Sequence, residues 1–142
     1  MTRPRFHLAF PVIDLEQARE FYTNILGCTP GRESDCWIDF NFHGHQIVAH
    51  HSKETPDCPT SDVEGKKVPI RHFGLILDRI DWQKLADRLT EKKIKFLIEP
   101  HIRFEGLAGE QATMFIQDPS GNGLEFKSFA SDDDIFATET GA

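Results

Sequence analysis

Positive charge is in short supply in this chain: 16 Lys and Arg stand against 23 Asp and Glu, for a formal net charge of −7. That balance argues against nucleic acid or an anionic membrane as partner, since either would want a basic face. No apolar run approaches the roughly 20 residues of a membrane span, and no signal peptide is expected ahead of Phe6, so a cytoplasmic protein is expected. Cysteine is scarce. Cys28, Cys36 and Cys58 are odd in number and lack C-x-x-C spacing, which favours reduced thiols over a disulfide framework. Tyrosine occurs once, at Tyr22.

What is present suits one globular domain: 142 residues, 39% hydrophobic and 27% charged. The stretch "RFHLAFPVIDLEQAREFY" alternates as a strand up to Val12 and then takes a helical rhythm. Asp14 is a plausible N-cap for a helix over 15–26 that Gly27 ends, with Ala18, Phe21, Tyr22, Ile25 and Leu26 as its buried stripe. Three strands follow, near 28–34, 36–42 and 46–51. The polar "SKETPDCPTSDVEGKKVP" reads as a loop or linker.

The pattern then restarts. "RHFGLIL" is a strand with a histidine in second position, as in the first strand. "DWQKLADRLTEKK" is a helix, and strands are expected over 95–98, 111–117 and 123–128. The spacing therefore predicts an α+β fold of two βαβββ modules forming a curved mixed sheet around a cleft, and the donors below make it a metal-binding cleft. Module one covers about 5–51, a linker 52–69, module two about 70–128 and a tail 129–142.

Strand alternation selects the cleft residues. Phe6, Leu8, Phe10 and Val12 face the helix, leaving His7, Ala9 and Pro11 on the other side. The same rule turns His72, Gly74 and Ile76 inward, with Glu125, Gln111, Thr113 and Phe115, and, from module one, Gln46, Val48, His50, Trp37, Asp39 and Asn41. A lone His7 would read as a structural histidine. His72 at the matching position of the repeat, together with Glu125, makes a two-histidine, one-carboxylate set of the kind that binds non-haem Fe(II). A metal would also make a buried carboxylate's charge useful. His43 and His101 read as loop residues, and His51 falls on the face away from the cleft.

"FHLAFPVIDLEQAREFYTNILG", "RHFGLIL" and "FIQDPSGNGLEF" together resemble the vicinal oxygen chelate superfamily, which includes glyoxalases, bleomycin-binding proteins, fosfomycin-resistance transferases and extradiol dioxygenases. The resemblance spans roughly residues 5–128 and implies metal ligands at His7, His72 and Glu125. It also implies a homodimer. Departures from the pattern bear on the reaction. The fourth ligand of glyoxalases matches Val48, so Gln46 or His50 would have to replace it. Ala9 stands where fosfomycin-resistance transferases carry a hydroxyl residue, and their potassium loop is not evident. The expectation is a dioxygenase-type enzyme with Fe(II), the alternatives being a glyoxalase-like lyase or isomerase using Ni(II), Zn(II) or Mn(II), or a non-catalytic small-molecule binding (resistance) protein. His50 is the candidate proton carrier. Gln46, Gln111 and Thr113 are candidate hydrogen-bonding groups for a small-molecule substrate, Trp37 and Phe115 its apolar walls, and Arg103 a partner for an anionic group.

Overall fold

A computed structural model describes residues 3–138. The described residues form two compact units, one of the residues up to Asp57 with Asp118–Asn122, and one of Cys58–Gln117 with the residues from Gly123 on. In the first, β1 (His7–Val12), β2 (Thr29–Glu33), β3 (Trp37–Phe42) and β4 (His45–His51) make a sheet of order β1-β4-β3-β2. In the second, β7 (His72–Ile76), β8 (Ile98–Arg103), β9 (Gln111–Gln117) and β10 (Gly123–Phe129) repeat that order as β7-β10-β9-β8. In each sheet one pair is parallel, β1 with β4 and β7 with β10, and the others are antiparallel. The repeat in the sequence is thus a repeat in topology, and the mixed sheet divides into one four-stranded sheet per module.

Local chemistry sets the helices. Asp14 caps α1 (Leu15–Glu20) by accepting a hydrogen bond from the Gln17 amide at 2.9 Å. The helix expected to run regularly through residue 26 instead widens into a π-helical turn over Phe21–Ile25, where the Leu26 amide reaches back to the Phe21 carbonyl. α2 (Arg79–Glu91) is fastened to its sheet by Trp82, whose indole N–H donates to the Phe126 carbonyl at 2.9 Å. Each helix packs on the interior of its own sheet, α1 on β3 and β4, α2 on β9 and β10. The cores are mostly the predicted helix-side residues, such as Val12, Ile38, Phe40 and Ile47 in the first unit and Met114, Ile116, Leu124 and Phe126 in the second, but Phe6, expected on that side, precedes β1 and is 61% exposed.

Two boundaries differ from the sequence reading. The stretch read as a linker, residues 52–69, contains a hairpin of β5 (Thr60–Val63) and β6 (Lys66–Pro69). Its Glu64–Gly65 turn has positive φ at both residues, 53° and 78°, the geometry that matches strand twist in tight hairpins. Val68 of this hairpin is 2% exposed against Ile98 and Phe115. Strand β8 begins where the predicted strand ended, at Ile98, and runs to Arg103 through a register shift between Ile98 and His101. His101 is therefore a strand residue and not a loop residue. No helix of the described residues is long and apolar enough to cross a membrane.

The turn between β9 and β10, Asp118–Asn122, clusters with the first unit. Asp118 is buried there and accepts four hydrogen bonds: from the Tyr22 hydroxyl at 2.8 Å, and from the Ser120 amide, the Asn122 amide and Asn122 Nδ2, each at 2.9 Å. Burial, then the charge of Asp118, pushes the Tyr22 phenol well above its ordinary range. Burial also pushes the Cys28 thiol up to about 12. Both groups fold protonated, so their contribution is complete below the unfolded values and is lost as pH rises from about 9 for Cys28 and about 10 for Tyr22. Unfolding free energies from urea titrations are expected to fall steadily above pH 9, by up to about 1.4 kcal/mol per pH unit for each group while its folded form stays protonated. Tyr22→Phe and Cys28→Ala should each flatten that decline, and equal slopes in all three proteins would refute the assignment.

Candidate metal and substrate site

In the second unit, β7 and β10 lie side by side in parallel, with His72 opposite Gly123 and Gly74 opposite Glu125. Gly74 has no Cβ for a reason: one built there would stand 1.6 Å from the Glu125 carbonyl oxygen. That approach lets His72 Nε2 come within 3.3 Å of Glu125 Oε1. Both groups are held from behind. His72 Nδ1–H donates to the Pro69 carbonyl at 2.9 Å, which leaves the Nε2 lone pair for a ligand, and the ring stands edge-on to Phe115 at 4.8 Å. Thr113 Oγ1–H donates to Glu125 Oε2 at 2.7 Å.

This arrangement suits a divalent ion. Donors bound at about 2.1 Å to one ion sit roughly 3.0–3.4 Å apart, and an outer hydrogen bond on each donor is the usual support. Among the described residues no group of three or more His, Cys, Asp or Glu side chains is close enough to hold a metal. His72 and Glu125 supply two of the three donors expected from the sequence.

His7, the third expected ligand, is in the first unit, exposed on β1 opposite Gln46 of β4. It is prepared in the same way. His7 Nδ1–H donates to Gln46 Oε1 at 2.7 Å, and Gln46 Nε2 donates onward to buried Asp39 at 3.4 Å. This chain of bonds fixes the tautomer with its lone pair on Nε2. Gln46 thus meets His7 itself. His50 lies four residues further along β4, opposite Pro11 and Trp37, about 13 Å of strand from Gln46. Trp37 has the Arg32 guanidinium over its ring at 5.8 Å. His45 Nδ1 accepts from the Phe6 amide at 3.0 Å, a structural bond at the head of β1.

The second unit also holds a pocket of about 240 Å³ that His72, Thr113, Phe115 and Glu125 share with Arg103. Thr113 and Phe115 are both 3% exposed, the first spent on Glu125 and the second covered by the hairpin. Gln111 gives one amide hydrogen to the Gly109 carbonyl at 3.4 Å, and its Oε1 is buried without a hydrogen-bond partner among the described residues. Lys127 and Glu64 also line this pocket and were absent from the sequence reading. Alternation from Glu125 places Lys127 on the same face, which is the signal that could have found it. Nothing in the sequence linked Glu64 to the site while its segment was read as linker.

Residues 6–126 match the Glyoxalase/Bleomycin resistance protein/Dioxygenase superfamily. The chain is 24% identical over 120 residues to the metallothiol transferase FosB of Lysinibacillus sphaericus, an alignment covering 84% of this chain and 78% of that one. The crystal structure of a glyoxalase/bleomycin resistance protein/dioxygenase from Alicyclobacillus acidocaldarius is 34% identical, with a TM-score of 0.79 over 96% of this chain and all of that one. The fosfomycin resistance protein FosX of Listeria monocytogenes shares the fold at 12% identity, with a TM-score of 0.69 over 94% of this chain and 98% of that one.

Proposed function

Because the chain belongs to the glyoxalase/bleomycin resistance protein/dioxygenase superfamily, we propose that it is a divalent-metal-dependent enzyme acting on a small molecule with two neighbouring oxygens. His7, His72 and Glu125 are its metal donors. The observation that carries this reading is the His72–Glu125 pair, spaced for one ion and held by Pro69 and Thr113. The ion would supply Lewis acidity, stabilising negative charge that develops on the substrate oxygens.

The side chains divide the remaining work. Pro69, Thr113 and Gln46 keep the donors oriented, so that binding an ion does not have to order them. Phe115 stands edge-on to the His72 ring and covers one side of it. Lyase, isomerase or group-transfer chemistry fits the side chains around these donors best. A ring-cleaving reaction would draw on a tyrosine donor and a nearby histidine, and Tyr22 is committed to Asp118 while His50 stands well along β4 from His7. A three-donor set that leaves coordination positions open favours dioxygenase-type chemistry with Fe(II) as the second reading.

Elemental analysis of protein made in iron-supplemented medium and purified without oxygen tests the proposal. About one divalent ion per chain is expected, and at least tenfold less in His72→Ala, a half-exposed position whose loss spares the fold. Full stoichiometric metal in that variant would remove His72 from the donor set. Iron in the wild type, with oxygen uptake on a catechol, would move the choice to the second reading.

A further inference from the structure

The β5–β6 hairpin forms one side of the pocket that holds His72 and Glu125, lining it with Ser61, Val63, Glu64 and Val68. Its two ends are held differently. At the base, the Ile70 amide donates to the Pro59 carbonyl at 2.8 Å, and Val68 is buried against Ile98 and Phe115. Thr60, Ser61, Asp62, Lys66 and Lys67 are exposed. At the tip, Val63 is only partly buried, and Glu64 reaches across to β8. Arg103 Nε lies 3.1 Å from Glu64 Oε1, and His101 Nε2 lies 2.8 Å from Oε1 and 2.7 Å from Oε2. An element with so few buried contacts opens locally at little cost, so these ion pairs weigh heavily in holding it. Glu64 also has φ 53°, a turn position that favours glycine or asparagine. A glutamate there carries backbone strain that its side-chain contacts offset.

The strength of the tip contact depends on His101. Its Nδ1 lies 2.8 Å from the Glu99 carbonyl oxygen while its Nε2 faces the Glu64 carboxylate. Neither partner has a hydrogen to give, so both contacts are satisfied only when both ring nitrogens carry protons. A neutral ring can donate to one partner and must turn a lone pair on the other. The charged groups facing His101 among the described residues are Glu64 from the hairpin and Arg103 from its own strand, and β9 presents Thr113 opposite it. Burial alone would lower the His101 pKa. The bonds to Glu64 and to the Glu99 carbonyl outweigh burial and the charge of Arg103, and the net shift is upward.

We propose that the hairpin is a flap over this pocket, latched at its tip by Glu64 and released when His101 loses its proton. The closed tip holds that proton more tightly than the open one. Closure is therefore fully supported below about pH 6.5, the ordinary histidine value, and weakens as pH rises through the raised one. The weakening is tenfold for each pH unit between the closed and open values. Arg103 stays charged throughout and retains its own contact with Glu64. Pro69, at the base, keeps its bond to His72, so the tip moves without turning that ring. The device needs no metal and stands apart from the chemistry assigned to the pocket.

The test measures how strongly an uncharged nitroxide dissolved in the buffer broadens the NMR methyl signals of Val63 and Val68. The protein is used as purified at pH 5.5 and at pH 8.5, and the His101 ring signals are titrated on the same samples. Broadening should rise at least twofold at the higher pH, with the midpoint of the His101 titration. His101→Gln, which cannot take up a proton, should be broadened equally at both values. Glu64→Gln should be broadened at pH 5.5 as the wild type is at pH 8.5, and its His101 should titrate at lower pH. Equal broadening of the wild type at the two values overturns the proposal. So does an unchanged rise in His101→Gln, or a Glu64→Gln protein as well shielded at pH 5.5 as the wild type.

Discussion

Gly74→Ala should cost more than about 4 kcal/mol, enough to leave much of the population unfolded given the total stability of about 5–15 kcal/mol usual for a domain. The added methyl would lie 1.6 Å from the Glu125 carbonyl oxygen and 2.7 Å from its carbon. These are main-chain atoms of the paired strand, and no rotamer change relieves the contact. The backbones of β7 and β10 would have to part by more than an ångström, breaking the parallel ladder from His72 to Ile76. Whatever folded protein remains should bind metal weakly, because the same shift separates His72 from Glu125. Urea denaturation of purified protein measures the first effect and elemental analysis the second. A midpoint equal to that of the wild type would show that the strands are not so closely apposed.

Asp118→Ala should be the other severe variant, costing about 3–5 kcal/mol. It removes one acceptor from four donors, and the Tyr22 hydroxyl among them is fully buried. Tyr22→Phe breaks a single bond and should cost about 1–2 kcal/mol. The damage in Asp118→Ala also spreads through the turn. Ser120 Oγ accepts from the Ile13 amide at 3.0 Å, and Asn122 Nδ2 donates to the Pro11 carbonyl at 2.9 Å, so the end of β1 loses its fixed neighbours. Thermal unfolding of the two variants beside the wild type checks the ranking. An Asp118→Ala midpoint above that of Tyr22→Phe would refute the network reading.

Strand alternation and helical rhythm were enough to read the repeat, the helix-side core and the inward placement of His72 and Glu125 from the chain alone. Where reading fell short, the cause was interaction at long range. The segment around Thr60–Pro69 has too little apolar character to announce a hairpin; Val68 becomes buried only because Ile98 and Phe115 are waiting for it. The π-helical turn at Phe21 follows from packing of Tyr22 among Phe10, Phe21 and Phe40, and no local propensity signals it. Thr113, Gln46 and Phe115 were assigned to substrate because they face inward, yet their nearest chemistry is with Glu125 and His7 or beneath the hairpin. Facing a site and touching a ligand are different properties, and alternation reports the first alone.

The strand order β7-β10-β9-β8 has a consequence for how the protein is made. β10 is interior to its sheet although it leaves the ribosome after the other three strands. At ordinary synthesis rates, the stretch of about 50 residues between His72 and Glu125 takes roughly 3–10 s to emerge. Throughout that interval β7 has no neighbour in its sheet, His72 has no carboxylate beside it, and the apolar side of β9 waits for Leu124 and Phe126. On the metal reading proposed above, the chain cannot trap a stray ion on a half-made centre through this pair. It also passes through a nascent stage with an open strand edge, when a chaperone would be most needed.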